Sequence, residues 1–351
     1  MTYSDIAQLR LRHQHLHANE HRTPAALVRW MGAVQAQDYA MAKWALGIRM
    51  PGTTDDDVEQ AINRGEIIRT HILRPTWHFV VPEDLPWLLD LTAKSIGNAM
   101  RWGDSRLGLE PELVTRSVGL LEHALRDGAA LSREEIAEIF NSAGIPTDEN
   151  RLSHLLMRAE MDRIARTGPR RGKQVTYVRL DLPAAAARSR EENLAALALR
   201  YFTSHGPATL ADFNWWSGLS TGEARAGLEA VGAQLEKIEL DGQSFWFAPD
   251  TLPDIAHPRQ VFLLPAFDEY LISYRSRNVS LDPSFAPSSI SSNGIFYPVI
   301  VSGGRVEGTW KRTVKKNSVS VQPQFFKKMP EPAFLGDALA QFGAFLGLKV
   351  D

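Results

Sequence analysis

The sequence predicts an α+β protein: three tandem winged-helix units, then a C-terminal β-rich region and a closing helix. Three observations predict it. One pattern recurs three times, helical stretches followed by two short strands joined by a turn or a basic loop. Serine capping boxes, at Ser132 with Glu135 and at Ser220 with Glu223, open helices in the second and third copies. Beyond Pro258 the chain turns to short apolar strands, Val261 to Leu264 and Tyr297 to Val301. The divisions that follow are 1–95, 105–185, 190–255 and 256–351.

In the first unit, Pro24 to Val34 places Leu27, Trp30, Met31 and Val34 on one helical face. Thr54 caps a helix over Asp55 to Asn63, and Ile67 to Leu73 and Thr76 to Val81 alternate as strands on either side of Arg74-Pro75. The second unit has helices over Glu112 to Arg126 and from Ser132 onward, with Ile136, Ile139 and Phe140 on one face. Asp148 is the expected cap of its third helix, where Leu152, Leu155, Leu156 and Ala159 follow the spacing of a buried stripe. Strands at Arg163 to Thr167 and Val175 to Leu180 flank the loop Gly168-Pro169-Arg170-Arg171-Gly172-Lys173, a basic wing tip. Ala184 to Ala187 reads as a linker or helix start. The third unit has helices near 191–204, 209–217 and 221–233, then strands at Leu235 to Leu240 and Ser244 to Phe247 through the turn pair Asp241-Gly242. The last region reads as part of a small barrel, closed by an amphipathic helix over Pro332 to Leu348.

A hydrophobic content of 44% with 23% charged residues is that of a globular protein, and no apolar run is long enough for a membrane span. The N-terminal stretch lacks the apolar core of a secretory leader. With no cysteine there are no disulfides or thiolate metal sites, and the ten histidines hold no H-E-x-x-H pair, so no metal is expected. These features suit a cytoplasmic protein. The net charge of −2 argues mildly against nucleic acid, yet the total hides two acid-free runs of six basic residues each, Arg163 to Arg179 and Gly308 to Pro330. Phosphate binding depends on the local field, so such runs can still bind DNA.

The segment that carries chemistry is Val34-Gln35-Ala36-Gln37-Asp38. On a helix, residues two apart lie about 200° around the axis and face away from each other, whereas in an extended segment they share a face. Gln35 and Gln37 meet on one ligand only if the helix ends near Val34, and the small Ala36 leaves room for that. Otherwise they are polar residues after a helix end.

Val34-Gln35-Ala36-Gln37-Asp38, the strand Arg74-Pro75-Thr76-Trp77-His78-Phe79-Val80, the stretch Leu264-Pro265-Ala266-Phe267-Asp268-Glu269-Tyr270-Leu271 and Gly308-Thr309-Trp310-Lys311-Arg312 together resemble one bacterial family. It is the winged-helix alkylpurine DNA glycosylase family, of the AlkZ/YcaQ type, and the resemblance covers nearly the whole chain. Members carry a Gln-aliphatic-Gln or Gln-aliphatic-Asp motif; the first form matches Gln35-Ala36-Gln37 here. The family includes genotoxin self-resistance enzymes and crosslink unhookers, alongside relatives described only as winged-helix DNA-binding proteins. The resemblance implies a cofactor-free, monofunctional glycosylase, monomeric and nucleoid-associated, acting on double-stranded DNA that contains bulky N-alkylated purines. Alkylation at N7 or N3 makes the base cationic and a good leaving group, so carboxamides need only orient water and lie near the sugar cation. A neutral amide is no strong general base. Asp38 ranks second as a base, and His78 is a second supporting candidate, although a scaffold histidine is the commoner role.

The DNA contacts expected are Arg170, Arg171 and Lys173 at the wing tip, Arg275 and Arg277 before a polar loop, and Lys311, Arg312, Lys315 and Lys316 on a hairpin. Singly, each is ordinarily a solvated charge. Trp215 and Trp216 read as core residues, and the alternating His13, His15 and His17 are not read as a metal site. Asp268 and Tyr270 belong to the family pattern without a role that sequence assigns. The rival reading is a non-catalytic winged-helix transcription regulator, which would bind paired half-sites as a dimer; no heptad or dimerisation helix stands out.

Overall fold

A computed structural model describes residues 1–17, 21–182, 188–249, 260–327 and 332–351. The linker reading at Ala184–Ala187, the boundary at 255–256 and the end of the second basic run from Lys328 to Pro330 lie outside them. The chain is α+β and divides into two units, one formed by Met1–Glu59 with Leu194–Asp351, the other by Gln60–Asn193.

The first unit opens with α1 (Tyr3–His13), started by a capping box between Thr2 and Asp5. His13 therefore closes a helix, and the three histidines do not alternate on a strand. In α2 (Pro24–Met31), Pro24 stands at the start and Thr23 accepts the Ala26 N–H. The helix stops three residues before Val34 because Gly32 takes φ +79°. A Cβ there would lie 2.9 Å from Arg200 Cδ, so both backbone and packing call for glycine. The extended β1 (Val34–Gln35) follows, then α3 (Tyr39–Arg49) and α4 (Asp55–Asn63), the latter capped by Thr54 as expected.

In the second unit β2 (Ile68–His71) pairs antiparallel with β3 (Trp77–Val80), and α5 (Leu85–Arg106) is a long helix that the sequence reading did not anticipate. Next come α6 (Pro111–Ala124), β4 (Leu131–Ser132), α7 (Arg133–Ser142), α8 (Arg151–Met161), β5 (Ala165–Thr167) and β6 (Thr176–Arg179), with sheet order β4-β6-β5. The Ser132 capping box is present in both directions. Asp148 does not cap α8: Asn150 holds that position without a side-chain bond, and Asp148 instead pairs with Arg151 at 2.8 Å. Leu121, Ile136, Phe140, Leu155 and Tyr177 fill the core.

The first unit resumes in α9 (Arg190–Ser204), α10 (Leu210–Ser217), α11 (Thr221–Val231) and the hairpin β7 (Glu236–Leu240) and β8 (Gln243–Phe247). Asp241 and Gly242 both have positive φ, as a two-residue hairpin turn requires. The C-terminal part comprises β9 (Val261–Leu264), α12 (Glu269–Ile272), α13 (Ala286–Ser289), β10 (Val299–Ser302), β11 (Arg305–Val314), β12 (Ser318–Phe325), α14 (Pro332–Leu346) and β13 (Lys349–Val350). Its strands form an open sheet of order β13-β12-β11-β10-β9, so the expected barrel is replaced by a sheet that a helix covers. Trp44 of α3, Trp310 of β11 and Phe342 of α14 meet with ring centroids 5.0 and 5.2 Å apart. The two indoles donate to the Leu263 and Leu264 carbonyls at 2.7 and 2.8 Å, which ties α3 to the sheet. No helix among the described residues is long and apolar enough to cross a membrane.

Candidate active site

Gly32 ends α2 and Asp38 begins α3, so the span between them is non-helical and carries both glutamines. Gln35 is buried, with 4% of its surface exposed, and Ala36 is fully buried. Gln37 and Asp38 are exposed. One amide thus belongs to the floor of this span and the other to its surface. The Asp38 carboxylate accepts the Met41 N–H at 3.1 Å and caps α3.

Beneath Gln35 lies a polar cluster that sequence reasoning missed. Glu269, 1% exposed, accepts the Gln35 backbone N–H on Oε1 at 2.5 Å. Its Oε2 accepts the Trp216 indole at 3.2 Å and the Ser273 hydroxyl, with His205 Nε2 at 3.4 Å. Burial alone would raise the Glu269 pKa; His205, Ser273 and the Gln35 N–H together outweigh it and hold the carboxyl at about 2. Burial likewise pushes the His205 imidazole down, against the pull of Glu269. Next to Glu269, Asp268 caps α12 and forms a two-pronged pair with Arg49 of α3, at 2.8 Å on each oxygen. Arg49 also donates to Gln14 and to the Ala45 carbonyl. Tyr270 donates to the Gly304 carbonyl at 2.8 Å. The Phe267-Asp268-Glu269-Tyr270 stretch is therefore a scaffold, bolted to α3 on one side and to β1 on the other. The signal available in sequence was two adjacent acids inside an otherwise apolar stretch.

The basic residues fall into three places. Lys311, Arg312, Lys315 and Lys316 sit on the β11–β12 hairpin or its tip, in the same unit as the glutamines. Half-buried Arg312 lies over the Phe342 ring; burial lowers its pKa, while Asp38 and Asp55 pull it back up. Arg312, near the turn of the hairpin, is therefore within electrostatic reach of Asp38, the residue beside Gln37. Lys315 shares its charge with Asp351 at 3.3 Å. Arg275 and Arg277 line a 760 Å³ cavity with Asp212, Trp246, Leu281 and Ile290, also in this unit. Trp215, read as core, is 40% exposed with Arg277 over its ring, whereas Trp216 is buried as expected. Arg170, Arg171 and Lys173 form the tip between β5 and β6 in the other unit; Arg171 pairs with Glu135 at 2.5 Å, which partly neutralises it. His78 is also in that unit, buried on β3, its Nδ1 2.9 Å from the Thr76 carbonyl. Among the described residues no group of three or more His, Asp or Glu is arranged to hold a metal.

The family described as DNA glycosylase AlkZ-like matches residues 28–346, a span that includes the glutamine segment, the buried acids and the basic hairpin. The chain belongs to the AlkZ-like DNA glycosylase family. A curated relative in this family, the "Interstrand DNA cross-link repair glycosylase" of Streptomyces sahachiroi, is 24% identical over 334 residues, 88% of each chain. The structure of Streptomyces sahachiroi DNA glycosylase AlkZ matches with a TM-score of 0.81 at 21% identity, covering 100% of this chain and 99% of that one. AlkZ-like membership supports a glycosylase that acts on DNA and does not favour the regulator reading.

Proposed function

We propose that this protein hydrolyses the N-glycosidic bond of bulky, cationic N-alkylated purines in double-stranded DNA, as a monomer and without a cofactor. Gln35 and Gln37 are the residues to which the chemistry is assigned. The observation that carries the reading is the non-helical span between Gly32 and Asp38, which holds two glutamines two residues apart, Gln35 buried at its floor and Gln37 at its surface, in a chain of this family. Because the alkylated base already carries positive charge, it leaves without prior protonation. What the enzyme must supply is an oriented water and a negative potential at the oxocarbenium sugar. Carboxamide oxygens provide both roles, and the lack of a titrating base restricts the enzyme to labile lesions. Lys311, Arg312, Lys315 and Lys316 on the hairpin, with Arg275, Arg277 and the Arg170–Lys173 tip, are assigned to phosphates. The crosslink repair named for the Streptomyces sahachiroi relative makes crosslink unhooking, or resistance to a self-made genotoxin, the physiological setting to test.

The test is single-turnover incubation with duplexes carrying 7-methylguanine, a bulky N7 adduct or uracil, followed by alkaline cleavage of abasic sites. Cleavage is expected at the alkylated purines and not at uracil. Gln35→Ala and Gln37→Ala should each slow it by about 10²- to 10³-fold, the scale of losing one preorganised polar group, with DNA binding retained. Equal rates for the double variant and the wild type would remove the glutamines from the mechanism. Tight binding to one sequence without cleavage of any adduct would revive the regulator.

A further inference from the structure

The reading of Gln35 as a reacting-site amide leaves open what aims it. The backbone sets the Cα–Cβ vector from which a glutamine side chain starts, and β1 is only two residues long, bounded by a positive-φ glycine at 32 and a helix cap at 38. Such a segment has little intrinsic rigidity. Its Gln35 N–H nevertheless meets Glu269 Oε1 at 2.5 Å, a charge-assisted bond inside the protein.

Glu269 is itself held from three directions. Trp216 of α10 and Ser273 just after α12 donate to Oε2, and His205 lies 3.4 Å from it. The residue before it, Asp268, is locked to Arg49 of α3. An ionised carboxylate 1% exposed is costly to bury, and a backbone carbonyl would satisfy one N–H at far lower cost. This carboxylate gathers the packing of α3, α10 and α12 at a single peptide group, that of the residue assigned to the chemistry.

We propose that Glu269 is a positioning residue for base excision: its buried carboxylate clamps the Gln35 peptide N–H and thereby fixes the backbone position from which the Gln35 carboxamide reaches toward the deoxyribose. The proposal rests on the assignment of Gln35 as a reacting-site amide. No proton is transferred and no bond is made by Glu269. Its effect is geometric, and a displacement of about 1 Å at a reacting group costs on the order of 10²-fold in rate.

The experiment combines kinetics with one structural readout on the full chain. Single-turnover excision of 7-methylguanine from a duplex is measured for wild type, Glu269→Ala, Glu269→Gln, Gln35→Ala and the Glu269→Ala/Gln35→Ala pair, alongside DNA affinity. The Gln35 amide proton is followed by NMR in wild type and Glu269→Gln. Glu269→Ala is expected to lose about 100-fold in rate with DNA affinity within about threefold. Glu269→Gln, which keeps an acceptor, should recover part of that loss. In the double variant the losses should not multiply, because an unaimed Gln35 has little left to lose. The Gln35 amide resonance should lie downfield in wild type and move upfield in Glu269→Gln. Where Glu269→Ala does not fold, Glu269→Gln combined with Gln35→Ala gives the same cycle. Excision by folded Glu269→Ala at the wild-type rate, or losses that multiply, would overturn the clamp alone. Wild-type excision that Gln35→Ala leaves unchanged would overturn the assignment beneath it, whatever the amide resonance shows.

Discussion

Changing Asp268 to asparagine leaves the side-chain shape nearly intact and removes one charge from a pair in which Arg49 and Asp268 are 2% and 1% exposed. Two N–O contacts at 2.8 Å are at stake, and the guanidinium that remains has three further acceptors, the Gln14 carbonyl, the Gln14 side-chain oxygen and the Ala45 carbonyl. These keep its N–H groups bonded but leave its charge without a counter-ion. Breaking a buried pair from one side costs about 3 to 5 kcal/mol. Unfolding free energies are commonly about 5 to 15 kcal/mol, so the loss is large, and the urea midpoint should fall by about 1 M or more. Replacing both partners with apolar residues, Asp268→Leu with Arg49→Met, should recover much of it. Recovery is incomplete because Asp268 also caps α12 through the Tyr270 N–H at 2.9 Å and Arg49 also serves Gln14. The assay is urea denaturation of the two single variants, Asp268→Leu and Arg49→Met, and their combination, with Asp268→Asn as the conservative probe. A coupling energy of about 2 kcal/mol or more is expected from the cycle. Losses that simply add, or an Asp268→Asn midpoint indistinguishable from wild type, would show that the charge pair contributes nothing specific and refute the reasoning.

Three other outcomes follow from the structure. Lys316→Ala should lower the slope of log affinity against log salt by about 0.9, with a smaller change for Lys315→Ala because Asp351 already shares that charge; unchanged slopes would take the hairpin tip off the DNA. Gly47→Ala would place a Cβ 2.3 Å from the Phe345 ring, between α3 and α14, and should destabilise by about 1 to 3 kcal/mol; a neutral melting temperature would mean that this packing is looser than it looks. The depressed Glu269 carboxyl makes stability depend on pH in acid. Its folded pKa lies below the ordinary 4.5, so its contribution is complete above about pH 4.5 and drains away as pH falls below that. Glu269→Gln should flatten that limb of the stability profile, and an unchanged limb would assign it to other carboxylates.

Much of the local architecture was legible in the sequence, because local rules dictate it. Ser132 and Ser220 opened helices through capping boxes, Asp241-Gly242 made the hairpin turn, and the basic loops at 170–173 and 315–316 came out at hairpin tips. The end of α2 before Gln35 was required by the chemistry, and the glycine that sets it was in plain view, though its reach was misjudged by three residues. Those features depend on neighbours a few positions away, where side-chain oxygens and φ preferences act. The open sheet, the long α5 and the burial of Arg49, Asp268 and Glu269 were not legible. Their partners lie far along the chain: Asp268 is 219 residues from Arg49, and Glu269 is 234 from Gln35. A charged residue in an apolar stretch looks alike whether it ends in solvent or against a counter-ion, and only tertiary packing decides, since the desolvation of a charge and the donors that offset it are both supplied by distant segments. The sequence thus determined where the two glutamines stand and that the chain leaves the helix between α2 and α3, while the fold decided that Gln35 is buried, Gln37 exposed and Glu269 set behind Gln35, because a short strand has no means of its own to hold a side chain still.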